Sequence, residues 1–127
     1  IRSAVAFNID TIILSKNTVD LYNEKVLRAT QGLIFSINIV RADLPEEIIA
    51  LKKQNFKIYA TKVNGGKTLK KIEKPAKFAI IMGNEGNGVS SRVLDLCSKN
   101  LCIPTNIRVE SLNVAVATSI LLYELGN

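Results

Sequence analysis

Phe78-Ala79-Ile80-Ile81-Met82, followed at once by Gly83-Asn84-Glu85-Gly86-Asn87-Gly88, is the stretch on which the fold turns. Five apolar residues without polar alternation suit a central parallel strand covered on both faces. Glycines directly after such a strand let the backbone turn sharply and bring its N–H groups against a ligand. That end of a parallel strand is where open α/β sheets bind small molecules.

Working outward, Ser90 or Ser91 begins a helix through Cys97, and Leu101 to Ile103 is a short strand that Pro104 ends. The last segment, Leu112 to Leu125, is a helix apolar around most of its circumference and is expected to be buried. Upstream, Phe56 to Thr61 reads as a strand. Before it, Asp43 is placed as an N-cap, with Pro45 in the first turn, Glu46 in a capping-box position and Leu44, Ile48 and Leu51 at helical spacing through Gln54. Leu33 to Val40 has the β-branched content of a strand, and Glu24 to Gln31 reads as a helix stopped by Gly32. Ser15 to Asn23 is a polar loop, Thr11 to Leu14 a short strand, and Ile1 to Asn8 the end of a helix carrying Val5 and Phe7. Strands alternating with helices argue a mostly parallel α/β sheet flanked by helices, with no internal repeat or interdomain linker. The 127 residues suit one domain with one core, and an opening Ile1 in place of Met suggests a fragment of a longer chain.

Composition narrows the chemistry. The chain has no histidine, which removes Ser-His-Asp and Cys-His catalysis and the commonest neutral-pH proton carrier. Cys97 and Cys102 form neither a CxxC redox pair nor half a zinc site. Two buried reduced thiols are the expectation, in keeping with a cytoplasmic protein. No apolar run is long enough to span a bilayer, and no signal-peptide pattern is present. Lys plus Arg total 17 against 11 acidic residues, a net charge of +6 that favours polyanions, nucleic acid before anionic membranes.

Much of that charge lies in Lys62 to Lys77, expected as a loop or frayed helix with a turn at Asn64-Gly65-Gly66. It holds Lys62, Lys67, Lys70, Lys71, Lys74 and Lys77 against a single Glu73. A solvated connection and a landing strip for RNA phosphates are both open readings.

Three segments carry candidate chemistry. The glycine turn has G-x-x-G-x-G spacing, which is neither the dinucleotide fingerprint nor a P-loop, and no acid sits about twenty positions on to hold a ribose. Alone it is a tight turn, in which Glu85 either caps the next helix or faces a site. Ile103-Pro104-Thr105-Asn106 alone says that a strand has ended. In Glu110-Ser111-Leu112-Asn113-Val114-Ala115-Val116-Ala117, Ser111 reads as an N-cap and Asn113 as a solvated first-turn residue.

Taken together, a strand ending in the glycine turn, Ile103-Pro104 about twenty residues later and Ser111-Leu112-Asn113-Val114 opening an apolar helix resemble the last two motifs of a known family. It is the SpoU/TrmH family of SAM-dependent tRNA/rRNA ribose 2′-O-methyltransferases, within the SPOUT superfamily. Its corresponding stretches read G-x-E-G-x-G, then I-P, then S-L-N-V-x-x-A. Ile1-Arg2-Ser3-Ala4 resembles the tail of its first motif, which carries an arginine, and Ala29 to Leu33 resembles its small-residue segment between motifs. The asparagine that opens the first motif is not in the chain, and Thr105 stands where the family often has methionine.

The resemblance covers nearly the whole chain and implies a catalytic domain over 1–127, truncated at its N-terminus. Its sheet would carry a deep C-terminal trefoil knot that generic topology rules argue against, and it would form a homodimer. S-adenosyl-L-methionine (SAM) is the implied cofactor, held by Gly83, Gly86, Ile103 and Leu112, with Thr61 a further contact, and no metal is required. Arg2, Glu85, Ser111 and Asn113 match the catalytic set that delivers a ribose 2′-hydroxyl of tRNA or rRNA to the methyl group. The family usually gives Arg2 the proton-accepting role, but a guanidinium pKa above about 12 makes a neutral arginine costly. Binding a substrate phosphate and stabilising the developing alkoxide suit it better, and the identity of the base stays open. Two other readings remain: an RNA-binding module of the same fold without catalysis, and a different nucleotide-binding α/β enzyme. Inability to bind SAM marks the first, and ATP or NAD binding without SAM the second.

Overall fold

In the computed structural model, residues 1–16, 24–61, 67–68, 73–83, 89–106, 108 and 112–126 are described. They fall into two compact units, Ile1–Leu44 and Pro45–Asn127.

The first unit holds helix α1 (Arg2–Ala6), strand β1 (Thr11–Leu14), helix α2 (Glu24–Thr30) and strand β2 (Asn38–Arg41). β1 and β2 pair in parallel, Thr11 opposite Asn38 and Leu14 opposite Arg41. A parallel pair needs a long crossover, and α2 lies within it. The chain leaves α2 through left-handed backbone at Gln31 and Gly32, φ 53° and 83°. A side chain at the second position would be strained there, so Gly32 suits the turn. The strand expected over Leu33 to Val40 is corrected in its first half: Leu33–Phe35 is a 3₁₀ turn closed by Phe35 N–H donating to the Gly32 carbonyl at 3.2 Å. Gly32 steers the chain into that turn, and its apolar residues divide between buried Ile34 and exposed Phe35. Ladder pairing starts at Asn38.

The second unit contains helix α3 (Leu44–Lys53), strands β3 (Lys57–Thr61), β4 (Lys67–Thr68) and β5 (Phe78–Ile81), helix α4 (Ser91–Leu96), strand β6 (Lys99–Cys102) and helix α5 (Val114–Gly126). All pairs are parallel, in the order β4-β6-β3-β5. Period-two alternation sorts the strand residues into two clusters. Tyr59, Phe78, Ile80, Met82, Leu101 and Ile103 meet Leu121 and Leu125 of α5 on one face. Ile58, Ala79 and Ile81 meet Ile48 and Leu51 of α3 and Val93 and Leu96 of α4 on the other. The result is a parallel sheet between helical layers, and each fully buried side chain such as Ile58 or Leu121 contributes roughly 1.5–3 kcal/mol.

Local chemistry sets the helix ends. α3 begins immediately after Asp43, as its cap signature requires, and ends through left-handed Asn55, φ 68°. Ser90 caps α4, its Oγ accepting from Val93 N–H at 3.4 Å. At the other end of α4, Lys52 Nζ donates to the Leu96 carbonyl at 2.9 Å, a cation at a helix C-terminus. Ser98 then ties β6 to β3: its N–H donates to the Ile58 carbonyl at 2.7 Å and its Oγ accepts from Ile58 N–H at 3.2 Å.

Several expectations change here. β5 is covered on both faces, but in the described order it is the outer strand and β3 is central. Helices above and below make a run apolar wherever it lies across the sheet. The stretch Lys62 to Lys77 includes the two-residue strand β4 beside β6, while 62–66 and 69–72 lie outside the described residues. The final helix begins at Val114 rather than Leu112 and is not buried all round: Leu121, Leu122 and Leu125 are buried, but Val114, Val116 and Tyr123 are exposed. Cys97 and Cys102 form no disulfide and are only half-buried; Cys97 Sγ donates to the Val93 carbonyl at 3.1 Å. Among the described residues no helix is long and apolar enough to cross a membrane.

Candidate functional site

Among the described residues, the strand order marks one edge of the sheet as the candidate ligand site. β5 and β6 flank β3 on opposite sides, and their onward connections diverge: β5 leads to α4 on one face and β6 to α5 on the other. Where neighbouring connections part in this way, the carboxyl ends of the strands leave a gap that suits a ligand. Thr61 is the last residue of β3, Gly83 follows β5 by two residues, and Ile103 follows β6 directly. The register sets Ala60 opposite Ile81 and Thr61 opposite Leu101, so all three candidates lie at one edge of the sheet. Two strand spacings separate Gly83 from Ile103, about 10 Å.

Thr61 has a definite local task. Its Oγ1 donates to the Ile81 carbonyl at 3.3 Å, fastening β3 to β5 at the point where the glycine turn departs. Met82 and Ile103 are half-buried and pack on the Tyr59, Leu101, Leu121 and Leu125 cluster, forming an apolar floor at this edge. Met82 was not singled out from the sequence; its position as the outward end of the FAIIM run, in alternation with Ile80, is the signal that points to it.

Asn113 corrects the reading of the last motif. Because α5 starts at Val114, Asn113 is the cap: its Oδ1 accepts from Ala115 N–H at 2.8 Å and its carbonyl accepts from Ala117 N–H at 2.9 Å. Ser111 precedes that position and lies outside the described residues, as do Glu85 and Gly86. Leu112 is half-buried next to the cap. With Oδ1 committed to the helix, the Asn113 Nδ2 group is the part of this exposed side chain left for a substrate oxygen. Asn113→Asp keeps the acceptor and removes the donor, whereas Asn113→Ala removes both. Chemical denaturation should show Asn113→Ala less stable by about 1 kcal/mol and Asn113→Asp unchanged or slightly stabilised by the helix dipole. Activity should fall in both.

Arg2 belongs to the first unit, where it opens α1 with an exposed side chain. Of the nine candidates, therefore, Thr61, Gly83 and Ile103 share an edge, Leu112 and Asn113 immediately precede α5, Arg2 opens α1, and three fall outside the described residues. Cys97 is not a nucleophile in waiting: burial pushes its thiol up, against a smaller opposing pull from Lys52.

The SpoU rRNA Methylase family matches residues 1–123, and the chain belongs to that family. It is 42% identical over 125 residues to the 23S rRNA (guanosine(2553)-2'-O)-methyltransferase RlmP of Bacillus subtilis (strain 168), covering 98% of the chain and 50% of the relative. Among solved structures it resembles the AdoMet-bound rRNA methyltransferase from Sinorhizobium meliloti, with TM-score 0.88, 32% identity and coverage of 98% and 48%. It is also similar to the SpoU methyltransferase AviRb from Streptomyces viridochromogenes in complex with the cofactor AdoMet, with TM-score 0.88, 26% identity and coverage of 98% and 49%. The chain spans about half the length of the curated relatives it matches.

Proposed function

We propose that the chain is the catalytic part of an enzyme that transfers a methyl group from SAM to a ribose 2′-hydroxyl of structured RNA, tRNA or rRNA. The observation that carries this reading is the shared edge of Thr61, Gly83 and Ile103 at the parting of β5 and β6, within a chain of the SpoU family. Relatives named as 2′-O-methyltransferases and solved with AdoMet support the same chemistry.

The residues at the edge fit such a cofactor. Half-buried Met82 and Ile103 offer apolar surface to a flat adenine, and backbone groups of the turns after β5 and β6 suit its polar rim. Gly83, Gly86, Ile103 and Leu112 would hold it, with Thr61 keeping the edge fixed. When bound, the sulfonium supplies an already activated methyl group. The chain's own work is to bring the 2′-oxygen in line with that group and to move its proton. Arg2 binds a neighbouring phosphate and stabilises negative charge developing on the oxygen. Glu85 is the candidate proton acceptor, and Ser111 and Asn113 hold the hydroxyl.

The reading extends to architecture. A trefoil knot at the C-terminal end and a homodimer are part of it, as is a cytoplasmic location. Val116 and Tyr123, exposed on the same side of α5, support the dimer by supplying apolar surface for a second copy. Full-length protein incubated with labelled SAM and separate tRNA and rRNA pools should label one pool at a 2′-oxygen. Absence of label in both, with no SAM bound in calorimetry, would favour an RNA-binding module instead.

A further inference from the structure

The edge opposite the candidate cofactor site has a character of its own. Lys57 begins β3 and Lys99 begins β6, and the register sets Tyr59 beside Lys99. Alternation puts Lys57, Tyr59 and Lys99 on one face, where they line a cleft of about 390 Å³ with Glu73, Lys74 and Ser98. The cleft is thus lined by three lysines and a single carboxylate. Tyr59 adds no negative charge, since it is 3% exposed and burial pushes its phenol up. The surroundings continue the pattern: Lys77, over the Phe56 ring at 5.5 Å, precedes β5, and α3 ends in Lys52 and Lys53 just before β3. Lys53, Lys57, Lys74, Lys77 and Lys99 are all exposed.

We infer that this lysine cleft is a second contact for the RNA backbone, gripping phosphodiester groups that flank the nucleotide presented at the opposite edge. The inference rests on the function proposed above and adds a place where the substrate is held. The cleft is polar and positive, which matches phosphate better than an apolar partner or an acidic base edge. It is also within reach. Four residue rises along β3 separate Lys57 from Thr61, about 13 Å, well inside the footprint of modules that span roughly 16 base pairs of structured RNA. Contacts of this kind position an RNA without reading its sequence.

The test is a triple variant of the full-length protein, Lys57→Gln, Lys74→Gln and Lys99→Gln, compared with wild type in RNA binding over a salt series. Three lost phosphate contacts should reduce the log–log salt slope by about 2, so wild-type affinity should fall about twenty-fold more than the variant's between roughly 50 and 200 mM salt. KM for RNA should rise with kcat at saturation and SAM affinity unchanged. Glu73→Gln should act in the opposite direction and tighten RNA binding, which a merely structural role would not produce. A triple variant with the wild-type slope and KM, in a preparation that methylates RNA, overturns the inference and leaves the enzyme reading intact. A wild type that binds RNA but transfers no methyl group defeats the enzyme reading, while the slope comparison still decides the cleft. Protection of wild type alone by pyrophosphate, with no change in RNA slope, would assign the cleft to a small anion and also overturn it.

Discussion

Arg2→Ala should lower methyl transfer to RNA by about 10²–10³-fold, the usual loss when one preorganised donor to developing negative charge is removed. SAM affinity measured by calorimetry should stay at the wild-type value, because Arg2 is not among the residues proposed to hold the cofactor. The fold should tolerate the change. The Arg2 side chain is exposed, the buried residue of α1 is Ala4, and alanine is a better helix former than arginine. Arg2→Lys separates charge from geometry: an ammonium keeps the charge but loses the planar fork, so recovery should be partial. Single-turnover rates with labelled SAM read this directly. Wild-type rates in Arg2→Ala would remove the residue from the mechanism.

The largest effect on stability is expected at Leu121. Its side chain is 0% exposed and sits in the cluster that joins α5 to Tyr59 and Leu101. Leu121→Ala removes buried atoms and leaves a cavity, which together destabilise by about 2–5 kcal/mol. Val116 on the same helix is 49% exposed, and Val116→Ala should move monomer stability by no more than about 0.5 kcal/mol. Urea unfolding of the two variants makes the comparison. Similar midpoints would mean that α5 does not seal that face of the sheet.

Much of the layout is legible in the chain itself. Thr11–Leu14 is a strand as expected, because four apolar or β-branched residues bounded by polar ones leave little alternative. α3 and α4 start where Asp43 and Ser90 direct, since such side chains suit a helix start and little else. The failures have physical causes. Leu33 to Val40 carries one composition through two structures, since the left-handed backbone at Gly32 sets the geometry of Leu33–Phe35 irrespective of β-propensity. The strand Lys67–Thr68 is too short to have a period. Ser111 and Asn113 are both good caps, and only the frame of α5 distinguishes them.

The site divides similarly. The positions of Gly83 and Ile103 are legible because each stands just past the end of a strand, whereas Asn113 reads as a first-turn residue and is the cap of α5. The lysine cleft is not legible: Lys57 and Lys99 become neighbours through strand pairing and Lys74 through the segment leading into β5, and a count of charges along the chain dilutes them in the richer stretch before Lys77. A knotted path cannot be read from hydropathy at all, since periodicity reports which way a side chain faces and nothing about threading.

The alternation along β3 constrains how the gene can change. Lys57, Tyr59 and Thr61 occupy one row, serving in turn the basic cleft, the packed interior and the clasp to β5. Losing or gaining one codon inside this segment would turn part of that row over and bring the Ile58 and Ala60 side into its place. Three duties would fail together. Length variation among descendants of this sequence should therefore be absent from Lys57–Thr61, even where individual side chains drift.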